Sequence, residues 1–343
     1  MGRFSIPMKT IRENLRETFS EGIDTHGLLN VFKKELADHF SSYRFVILFI
    51  LIAMVSLIST YMTGVGLREE LEGIAKPKFV FLMIFTSTRG WFSLVQFVAF
   101  FGPLIGLVLG FDSINREKSA GTMSKLVSQP IYRDSIINGK FLAGITTIAI
   151  MLVAIVLVIS GLGLRVLGVV PGIEEVWRII IYLIISIIYV SFWLGISMLF
   201  SILFRSIATS ALASIGAWIL FWLFIPFMAG IVANAAAPIP ASGAARETII
   251  RKVRIQEGVS LSSPMKLYSD ATATIIHPTQ KTTRFSLPAG PLEELLSARF
   301  QNPLRLSQSI LVVWPYIVSL IAITLVCFGF SYAVFMRQEI RPI

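Results

Sequence analysis

Six long apolar stretches, separated by polar and charged segments, dominate the pattern of this 343-residue chain. They fall at about 45–64, 91–111, 141–164, 179–203, 207–233 and 310–335, and none of them holds Lys, Arg, Asp or Glu. A bilayer core about 30 Å thick takes roughly 20 apolar residues as a helix, so each stretch is long enough to cross it. The pattern predicts an all-α membrane protein with six transmembrane helices. It divides the chain into an N-terminal segment (1–44), spans one to five (45–233), a long segment before the last span (234–309), and the sixth span with a short tail (310–343).

The intervening segments carry weaker patterns. Over 7–20, Met8, Ile11, Leu15 and Phe19 recur at three- to four-residue spacing after Pro7, which predicts an amphipathic helix. Over 28–44, Leu28, Leu29, Phe32, Leu36, Phe40 and Tyr43 share one side of a helical wheel, and Lys34, Asp38 and Ser41 share the other. That predicts an N-terminal interfacial amphipathic helix just before the first span. A soluble helix that packs on a partner has the same pattern. The segment 234–309 predicts helices over 244–257, 264–276 and 291–301, punctuated by Pro264, Pro278, Pro288, Pro291 and Pro303. Its apolar content is too thin for an independent core, so it is expected to pack as a long external loop on the outer ends of the spans.

Composition agrees with lipid exposure. Hydrophobic residues make up 55% of the chain and charged residues 15%, with a mean hydropathy of +0.76; soluble domains are nearer 25% charged. The net charge of +10 lies between apolar runs rather than on one polar domain. Orientation and anionic lipid headgroups explain it better than nucleic acid does. Segments 1–44, 112–140, 204–206 and 336–343 hold 15 Lys and Arg, against six in the short opposite loops 65–90 and 165–178. The positive-inside rule therefore places both termini in the cytoplasm. The first 44 residues are polar and charged, so no secretory signal is expected. The lone cysteine, Cys327, lies in an apolar run and has no partner for an internal disulfide.

Candidate chemistry is sparse. No G-x-x-x-x-G-K-[ST] loop is present, so ATP binding by this chain is not expected. His26, His39 and His277 are far apart and lack neighbours at ligand spacing, so no metal site is expected. Glu69, Glu70 and Glu72, like Glu174 and Glu175, read as solvated loop charges. Gly102, Gly106 and Gly110 recur every four residues in the second span, a spacing that lets another helix approach closely. Pro103, Pro226 and Pro315 lie inside spans and predict kinks.

The most informative segment is the loop between spans two and three, FDSINREKSAGTMSKLVSQPIYRDSIINGKFLAG. It predicts a short helix near 114–128, a break at Pro130, and a new helix from Asp134 or Ser135 into the third span. The length suits a helix that projects below the membrane to touch another protein; a plain basic loop is the simpler alternative. The order E-x-x-x-G-T, then L, P, R and G-K, resembles the permeases of type-2 ABC exporters. The matching residues are Glu117, Gly121, Thr122, Leu126, Pro130, Arg133, Gly139 and Lys140. SPMKLYSDATATIIHP at 263–278 is similar to the family's segment before the last span, and the long segment 234–309 is a departure from its shorter versions.

The resemblance implies that loop 112–140 holds a coupling helix that docks in a groove of a separate ATPase chain. It implies a homodimeric permease with two ABC ATPase subunits in the lipid membrane of a prokaryotic cell, ATP and Mg being held by the partner ATPase and no cofactor by this chain. Charge-free spans favour an apolar or amphipathic cargo over a small ion. Two other classes remain open at this point. One is a maturation permease like that serving nitrous-oxide reductase, with sulfur or metal-related cargo. The other is a membrane-embedded enzyme or channel.

Overall fold

A computed structural model describes residues 25–71, 79–86, 93–121, 132–238, 246–278 and 303–338. The described residues are helical, without strands. In chain order the helices are α1 (Thr25–Ser41), α2 (Tyr43–Leu71), α3 (Val80–Thr86), α4 (Leu94–Gly110), α5 (Asn115–Ser119), α6 (Arg133–Leu167) and α7 (Ile173–Leu203). There follow α8 (Ile207–Ile219), a π turn (Leu220–Phe224), α9 (Ile225–Ala236), α10 (Arg246–Ser260), α11 (Pro264–Ile276) and α12 (Leu306–Arg337). Six segments are long and apolar enough to span a membrane: α2, α4 with α5, α6, α7, α8 through α9, and α12. The helices overrun the apolar stretches at their ends, because Arg133, Lys140, Glu174, Glu175 and Arg178 all lie inside helices. The predicted helices over 7–20 and 291–301 lie outside the described residues.

Helix α7 is the centre of the bundle and packs on α4 and α12. The glycine row of α4 faces it. A Cβ on Gly106 would stand 2.7 Å from Val190 O and 2.8 Å from Leu194 N; one on Gly110 would stand 2.8 Å from Ser197 Cβ; one on Gly102 would stand 3.0 Å from Val190 Cγ2. Backbone meets backbone here, and any side chain would force the helices apart. Hydroxyls exploit the proximity: Tyr189 donates to Ala99 O at 2.7 Å and Ser197 to Leu107 O at 2.9 Å. Pro103 sits inside α4 and Pro315 inside α12.

Span five departs from a regular helix for a reason in its sequence. Pro226 has no N–H to give, and its ring clashes with the carbonyl four residues back. The helix widens into the π turn 220–224, and Ile225 N–H bonds Leu220 O instead of Phe221 O. The five-residue partner of Phe221 O would be Pro226, which cannot donate. Ser263, at the tip between α10 and α11, donates its hydroxyl to Phe221 O at 3.0 Å.

That bond fixes the depth of the α10–α11 hairpin. Phe221 is at the centre of the fifth span. Tyr268 of α11 lies 2.9 Å from the Ser186 hydroxyl, near the middle of α7, and stacks on Tyr189 with ring centroids 4.4 Å apart. The predicted helix over 264–276 is present as α11, and that over 244–257 as α10. The hairpin, however, penetrates between the spans instead of resting on their ends, because its tip satisfies a carbonyl that span five cannot satisfy alone.

Arg178 locks the other end of α11. It is fully buried, and donates to Thr274 O, Ile275 O, Leu304 O and Ser309 Oγ at 3.2, 3.0, 2.6 and 3.1 Å, and to Glu174 at 2.9 Å. A cation at unpaired C-terminal carbonyls opposes the helix dipole. The reading of Glu174 and Glu175 as solvated is corrected here. Glu174 pairs with Arg178, and Glu175 is buried, accepting from Phe81 N at 3.1 Å and Gly172 N at 2.8 Å. Free N–H groups at two helix starts supply what water would have supplied.

Alternation of six spans puts α1, the 112–140 loop and the α12 end on one side, and the hairpin mouth on the other. In a Cys327→Ser background, a thiol placed at Ser119 is expected to react with an impermeant maleimide only from the inside. One placed at Val170, in the exposed turn between α6 and α7, is expected to react only from the outside. The reverse pattern in intact cells would contradict the topology.

Candidate functional site

The 112–140 segment is anchored by ion pairs. Lys140, in the first turns of α6, has a side chain only 3% exposed, yet its ammonium meets two carboxylates: Glu35 Oε1 of α1 at 2.7 Å and Glu117 Oε1 of α5 at 2.9 Å. Lys34 joins from α1, 2.8 Å from Glu35, 3.3 Å from Glu117 and 3.2 Å from Asp38. Beside them Arg44, at the start of α2, pairs with Asp112 at 2.7 Å.

Gly139 makes the contact between α1 and α6 geometrically possible. A Cβ there would stand 2.9 Å from Val31 Cγ1 and 3.2 Å from Leu28 O. With α1 pressed this close, Val31 and Glu35, four residues apart, share the buried row, and Glu35 arrives at Lys140. The apolar row of α1 is only partly covered: Leu28, Phe32 and Leu36 are half-buried, while Leu29 is 44% and Phe40 40% exposed. Burial pushes the Glu35 carboxyl up, but the charge and hydrogen bonds of Lys140, with the hydrogen bond and charge of Lys34, outweigh it and hold its pKa below the ordinary value. Burial likewise lowers the Lys34 ammonium, and Glu35, Glu117 and Asp38 reverse that into a net rise. Burial dominates at His39, whose pKa is lowered.

The remaining polar groups tie the loop to other span ends. Ser201 of α7 accepts from Ile114 N at 3.0 Å and Asn115 N at 3.1 Å. Asn115 Nδ2 donates to Ser206 O at 3.4 Å, in the turn between α7 and α8. Lys118 reaches Ile202 O at 3.4 Å and Gln338 Oε1 at 2.7 Å. Arg133 donates to Phe335 O at 3.2 Å and Gln338 O at 2.6 Å, capping α12. One short segment thereby grips the ends of spans one, three, four and six, and the turn into span five.

Of the residues singled out in the sequence, Glu117, Gly139 and Lys140 come together, while Arg133 joins the α12 end. Gly121 is placed apart, on the exposed side, with φ of +65° and open space where a Cβ would be. Its requirement is backbone conformation, not room. The helix expected over 114–128 does not run through: α5 stops at Ser119, and the chain turns at Ala120 and Gly121, the left-handed glycine ending it. Thr122, Leu126 and Pro130 lie outside the described residues. Sequence reasoning missed Glu35 and Lys34. Its amphipathic reading of α1 followed the apolar arc, and Glu35 lies at the edge of that arc, seven residues from Leu28 and four from Val31. A buried-facing acid beside a glycine-bearing basic helix start was the available signal.

A cavity of about 340 Å³ opens beside the cluster, lined by Lys34, His39, Arg44, Asp112, Arg116 and Lys140 among others. Both cations and carboxylates line it, which suits an ion-pair clamp rather than a site for a single-sign ligand. Among the described residues no group of three His, Cys, Asp or Glu is placed to hold a metal ion.

In comparisons with known proteins, a family model described as ABC-2 family transporter protein matches residues 29–340. That span takes in most of α1, the ion-pair cluster, all six spans and the hairpin. No curated protein matches the chain.

Removing Lys140 should be far more damaging than removing the whole cluster. Lys140→Met leaves two buried carboxylates with only the half-exposed Lys34 between them, and breaking a buried pair costs about 3–5 kcal/mol. The thermal midpoint in detergent should drop sharply and recover in the triple variant Lys140→Met/Glu35→Gln/Glu117→Gln. Equal midpoints for Lys140→Met and wild type would contradict the geometry. The Glu35 shift has a defined pH sign. A depressed folded-state pKa adds stability that is fully present above its ordinary value of 4.5 and is lost as pH falls through the folded value. The midpoint should be flat with respect to Glu35 from pH 8 to about 5, fall below that, and fall less in Glu35→Gln.

Proposed function

As the chain belongs to the ABC-2 family of transporter proteins, a transmembrane permease that works with an ABC ATPase subunit, we propose that it is the membrane half of an ATP-driven exporter. Members of the family are typically non-catalytic transmembrane subunits. On this reading two copies form the transport path and two ATPase subunits bind the 112–140 loops from the cytoplasm. ATP and Mg act on the ATPase, and this chain converts ATPase closure into a change between inward- and outward-facing arrangements. The plasma membrane of a prokaryotic cell is its setting.

The observation that carries the reading is the Glu35–Lys140–Glu117 cluster with its neighbours. A loop that passes force must not flex independently of what it drives. Here the base of the loop is joined by charge to α1 and α6 and by hydrogen bonds to the ends of α7 and α12, while α5 ends at the exposed, left-handed Gly121. Linkage then requires only that the ATPase dimer bind one arrangement of the spans better than the other. Glu117 accordingly acts at the root, inside the permease, and the docking surface starts beyond it. The homodimer reading is supported by span five, which buries only 6% of its apolar window against the rest of the chain. The interfacial placement of α1 is supported by its uncovered Leu29 and Phe40.

Co-purification with its ABC ATPase subunit tests the reading. Gly121→Val forces a side chain into left-handed backbone, at about 1–2 kcal/mol, and turns the tip away from its docking path. Association should weaken roughly 5- to 30-fold, with span insertion and melting unchanged. Glu117→Lys, which sets a third cation against Lys34 and Lys140, should abolish coupled ATP turnover even where binding survives. Wild-type association and turnover in both variants would remove the basis for a coupling role.

A further inference from the structure

The hairpin carries charge to an unusual depth. Its tip is at the centre of the fifth span through the Ser263–Phe221 bond. From Ser260 at that tip, Arg254 and Arg251 are at most about 9 and 14 Å along α10 at 1.5 Å per residue. Both fall within the roughly 15 Å half-thickness of the hydrocarbon core. Arg251, Arg254 and Gly258 follow one another at three- and four-residue spacing on an exposed stripe that no described residue covers. Ile249 and Ile250 flank it at 47% and 48% exposure. Among the described residues Arg251, Lys252 and Arg254 make no ion pair of their own.

Guanidinium groups do not face lipid tails at this depth. Helix α10 packs along α9, in the half of span five beyond the π turn, and that span is the one the chain leaves bare. A second copy seated against it would turn the stripe toward a wet cleft between the two chains. Two guanidiniums one helical turn apart match an oxyanion such as a phosphate or carboxylate, and the adjoining isoleucines match an acyl chain.

We propose that Arg251 and Arg254 form the recognition site for the anionic head group of an amphipathic cargo, entered from the membrane. The inference deepens the exporter reading above and rests on it for the second copy. It assigns the cargo a negative charge as well as an apolar tail. Lys266 lies closer still to the tip, but it is largely buried and already paired with Asp270 at 2.7 Å, and the spans themselves are charge-free.

The test uses the full-length protein in nanodiscs, with phosphatidylglycerol bearing a fluorescent acyl chain as probe and phosphatidylcholine bearing the same chain as control. Wild type should prefer the anionic probe by about tenfold, the margin of one charge-assisted hydrogen bond. Arg251→Gln/Arg254→Gln should lose that preference while keeping its helical content and melting point. Arg68→Gln/Arg165→Gln, at the ends of α2 and α6, should retain it. Equal binding of the two probes by wild type, or an undiminished preference in the Arg251/Arg254 variant, would overturn the proposal. Full competition by soluble glycerol phosphate would also overturn it, since the site would then take a free anion. ATPase co-purification in the same preparations separates the two readings. Lost preference with intact association supports the cargo site, whereas absent association in wild type with an intact lipid preference removes only the exporter assignment.

Discussion

An ammonium with 3% of its side chain exposed must have its charge met within the protein, and Lys140 meets two carboxylates from two different elements. That requirement organises the whole side of the molecule on which the loop lies. Glu35 can reach Lys140 only because α1 lies against Gly139, and Glu117 is held beside it by the bonds of Ile114 and Asn115 to Ser201 at the end of α7. Each partner is a commitment of a separate segment to one arrangement. Taking away the cation leaves like charges buried together, a far worse state than an all-apolar replacement. The ion pairs therefore contribute less to net stability than to specificity of arrangement: they fix which helix end touches which.

The same accounting explains the other half. Pro226 deprives span five of a donor, the π turn leaves Phe221 O unmatched, and Ser263 fills the gap from a different part of the chain. Arg178 does for the C-terminal carbonyls of α11 what Arg133 does for those of α12. In a medium without water, every released backbone group must find a protein partner. The long-range connections of this fold fall where such groups are released. Between the two anchored ends, the α4–α7 seam relies on glycine and on van der Waals contact, because lipid-exposed helices gain nothing from hydrophobicity against each other.

The spans were legible because length and the absence of charge are one-dimensional properties. The glycine row of the second span was legible as a close approach, though not as an approach to α7 in particular. The loop was legible as a site: Glu117, Gly139 and Lys140 were all singled out, and all three meet. Their roles were not legible, because Glu35 is 105 residues from Lys140 and lies at the edge of the apolar arc of its helix, where a single acid does not stand out. Glu174 and Glu175 were read as loop charges for a similar reason. Charge near a span end looks solvated in sequence, and only the chain folding back over it reveals the carbonyls and N–H groups it satisfies. The penetration of the hairpin rests on one proline and one serine 37 positions apart, a pairing no local pattern announces.

The central claim is that α1, the loop root and the start of α6 move as one body when the ATPase acts. Paired spin labels report this directly: one at Lys33 on the exposed side of α1, one at Ser119 at the exposed end of α5, measured by pulsed dipolar spectroscopy in the transporter assembled with its ATPase. The distance distribution should keep its position and width between the nucleotide-free and ATP-bound states, and should broaden in both states in Lys140→Met. A wild-type distribution that shifts or splits on ATP binding would contradict the account.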